Sequence, residues 1–141
     1  MSLVCLVYVS LATHPMTHDE LRSLLQEIRK KNQIKNITGM LLHRDSFFLQ
    51  AIEGEDTEVE ILFEKIKHDP RHHSILKVYK NPITERTFSD WSMGFNLIDD
   101  ADPEGLDGYS DFLSRPNTEY FLKSPSRAKI LLESFKERVY F

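Results

Sequence analysis

The order in which the hydrophobic period changes along the chain constrains this sequence more than any other feature. From Leu3 to Val9 it is an apolar run of strand length, with Val4, Leu6 and Tyr8 on one face by the period of two. A strand apolar on both faces belongs at the centre of a covered sheet. The period then lengthens. Thr17-His18-Asp19-Glu20 is a capping box, and Leu21, Leu24, Leu25 and Ile28 follow at helical spacing. Arg29, Lys30 and Lys31 suit the last turn of this helix, and Asn32 is its end signal. Ile37 to His43 and Phe47 to Glu53 read as two strands joined by the turn Arg44-Asp45-Ser46, with Gly54 breaking the second. Glu55, Asp56, Glu58 and Glu60 open another helix, striped by Val59, Leu62, Phe63 and Ile66. Lys65 and Lys67 lie near its end, and Pro70 stops it. Ser74 to Lys80 is a fourth strand. Trp91 to Leu97 is a fifth, with Trp91, Met93, Phe95 and Leu97 on one face.

The order β-α-β-β-α-β with one extra strand defines an α+β chain, a ferredoxin-like sandwich with two helices on one sheet face. This reading brings the C-terminal ends of the two helices together. Lys30, Lys31, Lys65, Lys67 and Arg71 then make one end of the pair strongly basic. Residues 99–141 differ in character. Asp99 to Gly108 is acidic and turn-rich, Leu106 to Leu113 fits a short helix, and Ser126 to Tyr140 fits a better one striped by Ile130, Leu131, Phe135 and Val139. These two helices are expected to cover the bare sheet face. The chain divides accordingly into a domain at 1–98 and a C-terminal two-helix extension at 99–141.

With 40% hydrophobic and 28% charged residues, the 141-residue chain supports one packed domain. A net charge of −4 disfavours phosphate backbones, so no nucleic-acid partner is expected. No apolar run approaches the roughly 20 residues that span a bilayer, so no membrane role is expected. The N-terminus lacks a basic stretch and a cleavage site, and Cys5 is the single cysteine. These features point to a cytoplasmic protein.

Few residues stand out chemically. Gln50 shares a strand face with Phe48 and Ile52, where an unpaired amide costs about 1–3 kcal/mol. Tyr8, on a neighbouring strand of such a sheet, also needs a partner for its hydroxyl. On the residues alone, a satisfied core pair explains both better than a site does. Arg71-His72-His73 and the basic helix ends could hold a phosphate, or could simply offset helix dipoles. His68, Asp69, His72 and His73 lack the spacing of a zinc site, so no metal is expected. Trp91 and Met93 read equally as core packing. Cys5 has no visible base beside it and reads as an inert core thiol. A glycine-rich phosphate loop is absent from the sequence.

As an ordered set these segments carry more. Tyr8, Asn32, Thr38-Gly39-Met40-Leu41-Leu42, Phe48-Leu49-Gln50-Ala51-Ile52-Glu53-Gly54, Asp69-Pro70-Arg71-His72-His73 and Arg86-Thr87-Phe88-Ser89-Asp90-Trp91-Ser92-Met93 resemble the successive signatures of the BLUF family of blue-light sensors. The resemblance covers about residues 2–98, and the tail resembles the helical extension of the family's short, stand-alone members. It implies a non-covalently bound flavin, FAD with FMN or riboflavin as substitutes, its ring between the two helices. Asn32 matches the family's ring-binding asparagine. Gln50 matches the glutamine that bonds flavin and tyrosine, and Tyr8 that tyrosine. Leu24, Ile28, Phe48 and Ile66 would wall the slot. Asp69, Arg71 and His72 would hold the ribityl and phosphate end, with Lys31 where a histidine is often found. Trp91 and Met93 match the segment that moves on signalling.

The resemblance also implies a mechanism. Light drives an electron and then a proton from Tyr8 to the flavin, Gln50 rotates or tautomerises, and the absorption shifts red. The change then passes through the last strand to the C-terminal helices. It implies a sensor rather than an enzyme, with self-association and a downstream protein partner. Two other readings stand beside it. One is a ferredoxin-like regulatory module that binds a small molecule without photochemistry. The other is an acylphosphatase-type enzyme, for which Ser10-Leu11-Ala12-Thr13-His14-Pro15 lacks the required arginine.

Overall fold

The structure is a computed structural model that describes residues 2–44, 46–89, 92–97, 122 and 125–134. Its elements are β1 (Leu3–Ala12), α1 (His18–Lys35), β2 (Thr38–Arg44), β3 (Phe47–Glu55), α2 (Asp56–Lys67), β4 (His72–Pro82), β5 (Gly94–Leu97) and α3 (Pro125–Ser134). The five strands form one sheet in the order β4-β1-β3-β2-β5. β1 is antiparallel to both β3 and β4, β2 is antiparallel to β3, and β5 joins β2 in parallel at the edge. This is the expected ferredoxin-like arrangement with its extra strand.

Alternation along the strands builds two cores. On one face Val4, Leu6, Tyr8, Leu41, Phe48, Ile52, Met93 and Phe95 pack under Leu21 and Leu25 of α1 and Val59 and Phe63 of α2. On the other, Cys5, Val7, Val9, Met40, Leu42 and Leu49 pack under Ala128, Leu131 and Leu132 of α3. Described α3 thus covers the face that α1 and α2 leave bare. Its buried stripe runs 128, 131, 132, the i, i+3, i+4 spacing of a helix face. Ile130, expected in that stripe, is 56% exposed. The helix expected over 106–113 and residues 135–140 of the last one lie outside the described residues.

The expected capping box is present: Thr17 and Glu20 exchange hydrogen bonds of 3.1 Å. The end of α1 falls later than expected. Asn32 is buried inside the helix, and Asn36, at φ 55°, supplies the left-handed cap. Asn32 lies four residues after Ile28 and so continues the inward face. Gly54, read as a break, stays within β3, where its surroundings leave little room: an added Cβ would lie 3.2 Å from Ile37. β4 is longer than expected and holds Ser74 at φ 55°, while β5 is shorter.

The helix directions also differ from expectation. Because β1 and β3 are antiparallel, the helices that follow them run in opposite senses. The end of α1 therefore meets the start of α2, where Lys35 pairs with Glu58 at 3.6 Å. The start of α1 meets the end of α2, where Thr13 bonds the carbonyls of Pro70 and Arg71. The cations are spread along the pair instead of crowding one end.

Cys5 is the expected core thiol. Burial, and then the charge of Glu53, push its thiol up to about 12. Only the thiolate is nucleophilic. A disulfide reagent at pH 8 should therefore titrate essentially no thiol in the native protein and one in denaturant. Rapid native labelling would contradict this placement.

Candidate functional site

A cavity of about 390 Å³ lies between α1, α2 and the sheet. Its origin is in the helix stripes. Leu21 and Leu25 of α1 enter the core, while Leu24 and Ile28, one step round, stay half-buried. On α2, Val59 and Phe63 are buried, while Leu62 and Ile66 are half-buried. Each helix thus offers a second apolar stripe, and the two stripes wall a slot instead of closing it. The sheet supplies Tyr8 and Ser10 from β1, Leu41 from β2, and Phe48 and Gln50 from β3. All eleven residues expected around a ligand line this cavity: Tyr8, Leu24, Ile28, Lys31, Asn32, Phe48, Gln50, Ile66, Asp69, Arg71 and His72.

The polar floor follows from strand register. Tyr8 and Gln50 are direct partners across β1 and β3. Tyr8 Oη donates a hydrogen bond to Gln50 Oε1, and Gln50 Nε2 donates to Met93 Sδ at 3.4 Å. All three residues are buried. Burial, and then the charge of Asp69, raise the Tyr8 pKa, so the phenol keeps its proton. Its ring leans on Phe63, with centroids 5.6 Å apart, and on the edge of His72. Met93 therefore points inward. Trp91 lies outside the described residues.

The backbone of residues 92 and 93 is held from α1. Asn32 Nδ2 donates to the Ser92 carbonyl at 2.7 Å, and Arg29 Nε donates to the Met93 carbonyl at 2.7 Å. In the sequence Arg29 signals only a last-turn cation. Because α1 runs on to Lys35, Arg29 sits inside the helix, three residues before Asn32 and on the same side. Burial lowers its pKa.

One rim of the cavity is a charged network. Arg71 binds Asp69 with Nη2 to Oδ2 at 2.6 Å and reaches Glu27 of α1 at 3.2 Å. Glu27 also holds Lys31 at 3.0 Å. The Arg71 guanidinium keeps the Asp69 carboxyl below its ordinary range, and Lys31 and then Arg71 do the same for Glu27. His72 stands inside this rim. Its Nε2 lies 2.6 Å from the Ile66 carbonyl, which can only accept, so Nε2 carries the proton. In the neutral ring Nδ1 then accepts from Ser10 Oγ, 2.8 Å away. Among the described residues no group of three His, Cys, Asp or Glu is placed to hold a metal.

The sequence reading missed several lining residues. Ser10 had a signal, since it shares the strand face of Tyr8. Leu41 had the same alternation. Glu27, Glu58, Ile34 and Ile61 had none, because nothing in a single sequence tells a helix residue at a cavity mouth from one facing solvent.

A ferredoxin-like domain with an apolar slot between its helices, floored by hydrogen-bonded amide and phenol groups, is built to take a flat ligand edged with hydrogen-bonding atoms. Residues 3–94 match the family described as sensors of blue light using FAD, and the chain belongs to this BLUF family. It is 36% identical over 93 residues to the beta subunit of a photoactivated adenylate cyclase from Euglena gracilis, and 38% over 86 residues to the alpha subunit. Those stretches are 65% and 61% of this chain. The chain spans only about a tenth of the length of these curated relatives, 11% and 8%. Among solved structures, the dark state of BlrB, a BLUF protein, superposes with a TM-score of 0.77 at 29% identity, covering 98% of both chains. The photo-activated state of BlsA gives 0.75 at 31% identity, covering 95% of this chain and 94% of that one.

The residues present fit a flavin. The slot has two facing apolar walls for a ring system, with the carboxamides of Gln50 and Asn32 and the cations Lys31 and Arg71 in its lining. Among the described residues no helix is long and apolar enough to cross a membrane.

Proposed function

We propose that this chain is a blue-light photoreceptor that holds a flavin, FAD with FMN or riboflavin as substitutes, in the slot between α1 and α2. The observation that carries this is the buried pair Tyr8–Gln50 in the cavity lining, linked through the Gln50 amide to Met93 behind it. Leu24, Ile28, Phe48 and Ile66 wall the ring, Asn32 and Gln50 meet its polar edge, and Lys31, Asp69, Arg71 and His72 bind the ribityl and phosphate end. The bound flavin supplies a blue-absorbing chromophore whose excited state accepts an electron. Tyr8 is placed to give that electron. Its Oη proton already points at Gln50 Oε1, so a path for the proton exists before light arrives. Gln50 has two donor positions and one acceptor, and can satisfy either of two hydrogen-bond patterns. A side chain with two such patterns is the bistable element a switch needs. When its amide turns, its bond to Met93 Sδ is lost, and the segment of Trp91 and Met93 passes the change to β5 and the C-terminal helices.

On this reading residues 1–98 are the sensor and 99–141 the output element. The protein acts in the cytoplasm through self-association or a downstream protein partner and is not itself an enzyme. The adenylate cyclase activity named for its relatives belongs to chains of which it matches a small part. The test is the visible spectrum of the purified, flavin-loaded protein in the dark and just after blue light. A flavin spectrum that shifts red and recovers in darkness is expected. A flavin spectrum without a shift contradicts the switch, and failure to take up any flavin contradicts the chromophore.

A further inference from the structure

Residues 92 and 93 are gripped at three points. Asn32 and Arg29, three apart on α1, bind two consecutive carbonyls, and Gln50 binds the Met93 sulfur from the sheet. These grips differ in kind. The sulfur bond is weak, because a thioether is a poor acceptor, and it depends on which way the Gln50 amide points. The Arg29 bond is charge-assisted, short, and indifferent to Gln50. It is also partly shielded from water, where such a bond counts for more. Arg29 lies outside the cavity lining, so it can hold the segment without touching the ligand.

We propose that Arg29 is a positioning residue that sets how fast the switch resets. This inference rests on the photoreceptor reading. When Gln50 releases the Met93 sulfur, Arg29 keeps the Met93 carbonyl, and so the residue, close to its dark position. Return of the Gln50 amide then needs no search by the segment. Without Arg29, Asn32 still holds the Ser92 carbonyl, but residue 93 has no grip of its own once the sulfur bond breaks, and its dark arrangement must be rebuilt. The lit state gains lifetime at the expense of the return.

The experiment is the rate of dark recovery of the red-shifted spectrum in the flavin-loaded protein. Arg29→Leu removes the donor, Arg29→Lys keeps a charged donor, and Arg29→Gln keeps a polar side chain that is too short to reach. Leu and Gln should recover about tenfold more slowly, with flavin affinity and the size of the initial shift within about twofold of the parent. Lys should recover most of the parent rate. In a Met93→Ala background, which keeps the carbonyl that Arg29 binds but removes the sulfur that Gln50 must find again, the slowing by Arg29→Leu should largely vanish. Should Arg29→Leu fail to fold, the Gln and Lys variants carry the same comparison. Unchanged recovery in Leu or Gln, or equal slowing with and without the Met93 side chain, overturns the assignment. A parent protein that binds flavin but never shifts overturns the photoreceptor reading instead.

Discussion

Replacing Tyr8 by Phe leaves a protein that binds flavin but shows no red shift after blue light. The ring keeps its contacts with Phe63 and its place in the helix-side core, so the slot keeps its shape. Only the hydroxyl goes. Gln50 Oε1 then loses the donor that fixes the amide, at a cost of about 1–3 kcal/mol for a buried acceptor. More important, a phenyl group has no phenolic proton to release and is far harder to oxidise. The electron and proton that the switch requires have no source at this position. A difference spectrum recorded before and after illumination reads the result directly. A shift of ordinary size in the variant would remove Tyr8 from its role, whereas loss of flavin would show that the hydroxyl serves binding.

Glu53→Ala should destabilise the fold by about 3 kcal/mol or more, measured by urea denaturation. Glu53 is 1% exposed and ties three parts of the chain together. Its Oε1 accepts from Thr38 Oγ1 and from the Phe88 N–H, each at 3.0 Å, and its Oε2 accepts from the Thr87 N–H at 2.7 Å. Arg86 adds bonds to Thr38 Oγ1 and to the Glu53 carbonyl. Removing the carboxylate strands the buried Phe88 N–H and the half-buried Thr87 N–H and Thr38 hydroxyl. The segment leading to Met93 loses its anchor at the same time. Glu53→Gln is the informative companion. Its amide presents a donor to atoms that are themselves donors, so it should recover less than half of the loss. A cost below about 1 kcal/mol for Glu53→Ala would mean that the segment is held by other means.

Much of this was legible in the sequence for identifiable reasons. The alternation of Val4, Leu6 and Tyr8 set the strand face, Thr17 and Glu20 set the start of α1, and apolar spacing found the stripes of both helices. Local patterns speak for local structure. The end of α1 was misplaced because Asn32, an ordinary stop signal, is inside the helix for the sake of a carbonyl sixty residues away. The meeting of helix ends was misjudged because it follows from strand direction, which no single segment carries. Arg29 and Glu53 were not singled out, since their partners lie in segments that only the fold brings near. The eleven residues around the cavity were named chiefly through the resemblance of ordered motifs. Residue chemistry alone left Tyr8 and Gln50 undecided between core and site.

Strict alternation in β1 has one last consequence. Tyr8 stands in one core, while its chain neighbours Val7 and Val9 stand in the other. The sheet is a partition one peptide thick, and among the described residues no buried side chain belongs to both rooms. News of an event at Tyr8 or Gln50 therefore cannot be handed from side chain to side chain to reach the packing under Ala128, Leu131 and Leu132. It must travel as a tilt or slide of the partition itself, or around its margin. That margin is β5, four residues long and joined to the sheet through β2, directly after Met93. The strand with the least to hold it is the one that borders the switch.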